Sequence, residues 1–112
     1  MKRYKLINRE GQPEVWIEDR QGARRLTPEA SLRVRNHSPT GFGWGYGGSG
    51  PAQLALAIVL DYTNDVPLAE SIYQAFKWRF IAEMPANGGT IEPKQIEIFI
   101  DEMLRELRGE YA

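Results

Sequence analysis

Residues 36–60 read NHSPTGFGWGYGGSGPAQLALAIVL, and six of the chain's eleven glycines fall between Gly41 and Gly50, interleaved with Phe42, Trp44 and Tyr46. Glycine loses more chain entropy on folding than any other residue, so this density weakens a fold unless close backbone approach or positive φ demands it. Directly after it, Pro51 stands at a favourable first helical position behind Ser49 or Gly50 as cap. Residues 54–60 are apolar on every side, which marks a helix running to about Tyr62 as buried around most of its circumference. The stretch predicts a glycine-aromatic loop feeding a central helix.

Towards the N-terminus, Tyr4 to Asn8 and Val15 to Asp19 have strand composition with Gly11-Gln12-Pro13 as a turn between them, so a β-hairpin opens the chain. Leu32 and Val34 alternate with Arg33 and Arg35, which predicts a third strand with both arginines on the face away from the core. Towards the C-terminus, Asp65 and Pro67 resemble a helix start, and Ile72, Phe76 and Phe80 repeat on one face before Pro85. Asn87-Gly88-Gly89 reads as a turn. From Pro93 to Arg108, Ile96, Phe99, Ile100, Met103, Leu104 and Leu107 form one face and Lys94, Glu97, Asp101, Glu102 and Arg105 the other. The fold class is α+β, a small antiparallel sheet of two or three strands packed on about three helices.

The 112 residues make one domain, divided into a basic β region over 1–36, the loop over 37–50 and a helical region over 51–112. Without cysteine there is no disulfide framework, thiolate nucleophile or Cys-ligated metal. The N-terminus lacks the apolar run of a signal peptide and the run Leu54 to Leu60 is too short to span a bilayer, so a cytoplasmic home away from membranes is expected. Net charge is −1, but residues 1–36 carry nine Lys or Arg against five acids, and residues 50–112 carry five against ten. A basic front of this kind steers an anionic partner, or is ordinary solvated surface.

The segment HSPTGFGWGYGGSGPAQLALAIVL, followed by YQAFKWRFIAEMP, resembles an uncharacterised family of small bacterial and mobile-element proteins, a domain of unknown function. The resemblance covers most of the chain and the loop motif is highly specific. It implies relatives in bacterial, plasmid and phage genomes, where small proteins that block or sequester parts of a host's defences abound. It supplies no activity to transfer to any residue.

A loop leading into a free helix N-terminus is a recipe for holding phosphate or carboxylate, and Gly47-Gly48-Ser49-Gly50 leads into one here. The lysine of the triphosphate loop is missing, and the G-x-G-x-x-G matches at Gly43 and Gly45 have no second parallel strand to complete a dinucleotide fold. Trp44 and Tyr46 are candidates to stack on a base, with Arg33, Arg35 and His37 meeting phosphate and Gln53 bonding the ligand. The alternative is that the rings plug the core, that His37 packs or caps, and that Gln53 merely caps the loop.

Catalysis has little support. His37 is the sole histidine, a dyad with Ser38 or Ser49 lacks an orienting acid, and Pro51 stands where a nucleophile elbow needs glycine. No catalytic residue, cofactor or metal site is assigned. The expected function is non-enzymatic binding or sequestration of a nucleotide-like anion by Arg33, Arg35, His37, Trp44, Tyr46, Gly47, Gly48, Ser49, Gly50 and Gln53. The competing expectation is an inhibitor or adaptor of a host protein using Trp78, the basic hairpin or the acidic last helix, with no small ligand. Single-stranded nucleic acid ranks lower because the acidic C-terminal half repels it, and a homo-oligomer is compatible with either reading.

Overall fold

A computed structural model describes residues 1–109. The chain is α+β, with one antiparallel sheet of four strands in the order β3-β2-β1-β4. β1 (Arg3–Arg9) and β2 (Gln12–Asp19) pair so that Tyr4 faces Ile17 and Leu6 faces Val15. These four side chains are all buried, as the period-2 alternation of a half-buried strand requires. The turn is tighter than expected: Glu10 and Gly11, with φ of 54° and 86°, form a two-residue loop. Positive φ at both positions matches strand twist, which leaves Gln12 and Pro13 inside β2.

Two further strands exceed the two or three expected. β3 (Gly22–Arg25) lies on the outer edge beside β2, with Trp16 opposite Arg25, and all four of its side chains are exposed. β4 (Gly88–Ile91) pairs with β1, setting Ile91 against Tyr4, so the Asn87-Gly88-Gly89 turn becomes partly strand. Gly88 has φ of +97° and its backbone abuts the Leu6 carbonyl so closely that a Cβ has no space.

Residues expected to form a third strand at Leu32 to Arg35 instead end a short helix, α1 (Glu29–Val34). Pro28 starts it with helical φ and ψ, and six residues are too few for a 3.6-residue period to stand out against the Leu-Arg-Val-Arg alternation. α2 (Ser49–Thr63) is buried continuously from Gly50 to Val59 and ends on left-handed Asn64. α3 (Val66–Phe76) begins at Asp65, whose carboxylate accepts from the Leu68 amide at 3.1 Å. It runs into a π-helical turn, Lys77–Ile81, closed by the Ala82 amide donating to the Lys77 carbonyl at 2.8 Å. α4 (Pro93–Leu107) opens on a capping box of Glu92 and Gln95. The described residues thus hold four α-helices where about three were expected.

The inward sheet residues, α2, and the inner faces of α3 and α4 share one hydrophobic cluster. Phe76, Phe80 and Phe99 interlock at centroid separations of 4.8 to 5.8 Å. Among the described residues no helix is long and apolar enough to cross a membrane.

Candidate functional site

The chain between α1 and the glycine loop is held by one side chain. Gln53 is 0 % exposed on the first turns of α2. Its Oε1 accepts from the amides of His37 at 2.7 Å and Ser38 at 3.1 Å, and its Nε2 donates to Ser31 Oγ at 2.8 Å and the Arg35 carbonyl at 3.1 Å. Protein groups therefore occupy the amide, and it serves as the cap of the loop. His37 is engaged as well: its Nε2 lies 2.7 Å from the Tyr73 hydroxyl and the rings are tilted at a centroid distance of 5.5 Å. Burial holds the His37 pKa below the usual histidine value, and the charges of Arg35 and Lys77 add to the effect.

Arg33 and Arg35 do not form a common cationic wall. Arg33 sits exposed on α1 and lines a separate cavity of about 600 Å³ with Lys2 and Asp61. Arg35, the extended residue ending α1, pairs with Glu70 at 3.0 Å. Their separation follows from the helix that replaces the expected strand.

The glycines have an internal use. Trp44 is 8 % exposed, belongs to the core and donates from Nε1 to the Ala86 carbonyl at 3.3 Å, so its ring is not free to stack on a ligand. Tyr46 is 55 % exposed and lies across the loop. A Cβ on Gly43 or Gly50 would stand 2.6 or 2.8 Å from its hydroxyl, and one on Gly48 2.7 Å from its ring. Gly47 is packed in the same way against the Trp78 ring. The close approach that these glycines permit is to the protein's own aromatics. Gly45 differs, turning with φ of +88° so that its amide reaches the Ile81 carbonyl at 3.0 Å.

Gly48 tests this account because its φ of −109° suits any residue. Gly48→Ala is expected to cost about 1 kcal/mol or more by displacing Tyr46, and the cost should vanish in a Tyr46→Ala background, a coupling typical of touching residues. Chemical denaturation of the four proteins checks it; an equal cost in both backgrounds would mean that Tyr46 is not what requires the glycine.

Beside the Tyr46 ring opens a cleft of about 470 Å³, walled by the start of β2, Arg25, Thr27, Ser38, Thr40, Tyr46 and the first residues of α2, Ser49 and Gly50. Gly48 caps α2 without a side-chain hydrogen bond, so the first amides retain the donor capacity and partial positive charge of a helix N-terminus. Arg25 lies 5.5 Å over the Trp16 ring, and among the described residues no carboxylate comes within ion-pair distance of it. Of the residues singled out from sequence, the cleft brings together Tyr46, Ser49 and Gly50. Gly48 packs against the Tyr46 ring that walls it, Gly47 packs against Trp78 outside it, and Arg33, Arg35, His37, Trp44 and Gln53 lie elsewhere. Sequence reasoning missed Arg25 and Thr27. Arg25 stands in the run GARR, where the absence of strand alternation hides an edge strand from the sequence. Among the described residues no group of three or more His, Asp or Glu converges as a metal site would.

A family model described as a family of unknown function, DUF6166, matches residues 8–102, and the chain belongs to that family. No curated protein and no solved structure matches the chain. The matched residues include every wall of the cleft.

Proposed function

We propose that the protein is a non-enzymatic binding protein whose cleft between the glycine loop, the β3–α1 connection and the start of α2 holds a nucleotide-like anion. The observation that carries this reading is the convergence in one 470 Å³ cleft of a half-exposed ring, a helix N-terminus and an arginine that, among the described residues, has no carboxylate within ion-pair distance. The volume lies in the range of small-molecule sites. Tyr46 offers a face for a base, Ser49 and Gly50 offer amides to a phosphate, and Arg25 adds charge at the wall. Ser38, Thr40 and Thr27 supply hydroxyls for a sugar or for bridging water. Sequestration of such a ligand by a small cytoplasmic protein of a mobile element fits this chemistry, because capture needs no reacting group.

Calorimetry with a nucleoside monophosphate tests the reading. Arg25→Glu is expected to lower affinity at least tenfold, about 1.4 kcal/mol, with an unchanged circular dichroism spectrum. Equal affinity in the variant would remove Arg25 from the site, and absence of binding by the wild type would remove the ligand class. A second reading, an inhibitor or adaptor of a host protein, is favoured by Trp78, which is 58 % exposed beside Gly47 and is the residue type enriched at interface centres.

A further inference from the structure

Lys77 is 7 % exposed at the start of the π-helical turn. Lysines this deep are normally matched by a carboxylate or by several carbonyl oxygens, since an unpaired buried ammonium is costly. Here, among the described residues, Nζ has neither an ion-pair partner nor a hydrogen-bond acceptor, and it lies over the Trp78 ring, 4.2 Å from the centroid. No buried side-chain nitrogen in the described structure lacks a partner, so the ammonium is not sealed and keeps an opening to solvent.

Lys77 itself supplies the charge at that opening, with neutral groups around it. Tyr73, one helical turn before Lys77 and so on the same face, holds the His37 ring through Nε2 at 2.7 Å, and among the described residues Nδ1 has no hydrogen-bond partner. Arg35 pairs with Glu70 at 3.0 Å, whereas among the described residues no carboxylate lies within ion-pair distance of Lys77. The proximity of Lys77 is felt at His37, where it opposes protonation. Trp78, packed on Gly47 and 58 % exposed, walls the ammonium on one side.

We propose that Lys77, flanked by Trp78 and His37, is the anchor of a second anion site, one that takes a compact oxyanion such as a phosphate or carboxylate group. A compact, strongly charged ammonium suits a single anionic group better than an extended planar one. Partial burial of the side chain strengthens the attraction relative to bulk water. The site is separate from the cleft, whose walls contain none of Lys77, His37 or Trp78.

Titration of the full chain with inorganic phosphate, and separately with acetate, at ionic strength held constant with chloride tests the proposal. The signals followed by nuclear magnetic resonance are the His37 ring carbons, the Lys77 side-chain carbons and the Trp78 indole N–H. Saturable shifts at all three residues with phosphate, acetate or both are expected, and the stronger of the two anions identifies the preferred group. Lys77→Met should abolish the saturable response, Lys77→Arg should retain it, and Arg25→Glu should leave it intact. Shifts that merely track chloride, that persist in Lys77→Met, or that disappear in Arg25→Glu would overturn the assignment. Should Lys77→Met fail to fold, the wild-type and Arg25→Glu titrations decide it: saturation in both upholds the site, and any other result rejects it.

Discussion

Trp44→Ala is expected to remove about 3–5 kcal/mol of stability, the usual cost of truncating a large buried ring. Small domains have roughly 5–15 kcal/mol in total, so the variant should be partly unfolded at moderate temperature. The ring is 8 % exposed, packs into the central cluster and donates to the Ala86 carbonyl. Its neighbour Gly45 ties the same stretch of loop to Ile81. Trp44 thus joins the glycine loop to the chain between the π-helical turn and β4, and its loss should loosen both segments. Urea denaturation measures the effect as a lower midpoint with little change in slope. A midpoint near that of the wild type would put the ring outside the core and reopen a role in stacking.

Gln53→Leu should have an effect of similar size through hydrogen bonding rather than packing. The substitution leaves the His37 and Ser38 amides, the Arg35 carbonyl and the Ser31 hydroxyl without the partner they share. The Ser31 hydroxyl keeps its bond to the Pro28 carbonyl, but each group left with no partner costs about 1–3 kcal/mol before relaxation. Some water will enter at the half-buried His37 end, so a net loss of about 3–5 kcal/mol is expected. Hydrogen exchange gives a second, local readout: the His37 and Ser38 amides should lose protection beyond what the change in global stability accounts for. A Gln53→Leu variant of wild-type stability with both amides still protected would show that something other than Gln53 holds the loop.

The two residues mark the line between what the sequence disclosed and what it withheld. α2 and α4 were legible because one is apolar all round over 54–60 and the other has a clean two-faced pattern. The opening hairpin was legible from strand composition on both sides of a glycine-containing turn. β3 was not, because an exposed edge strand reading GARR has no buried face to create a period. β4 was hidden by Gly88-Gly89, where glycine allows the strand to press against the Leu6 carbonyl rather than marking a turn alone. α1 was too short for its period to compete with an alternation that suggested a strand.

The site divides along similar lines. Ser49 and Gly50 could be read as cleft residues because the chemistry of a helix N-terminus follows from local sequence. Arg25 could not, since it joins them only through its register with Trp16 and the path of the chain into α1. The reason for the glycines was out of reach for another cause. Their density announced a close approach, but that Tyr46 and Trp78 are what approaches depends on where those rings lie in three dimensions.

The most direct test of the proposed function is the amide correlation spectrum of the isotope-labelled protein during titration with a nucleoside monophosphate. Saturable shifts are expected, centred on Ser49 and Gly50 and extending to Thr27, Ser38, Thr40 and Tyr46, with α4 and the β1–β2 turn unmoved. No shift up to millimolar nucleotide, or saturable shifts confined to residues outside that cleft, would contradict it.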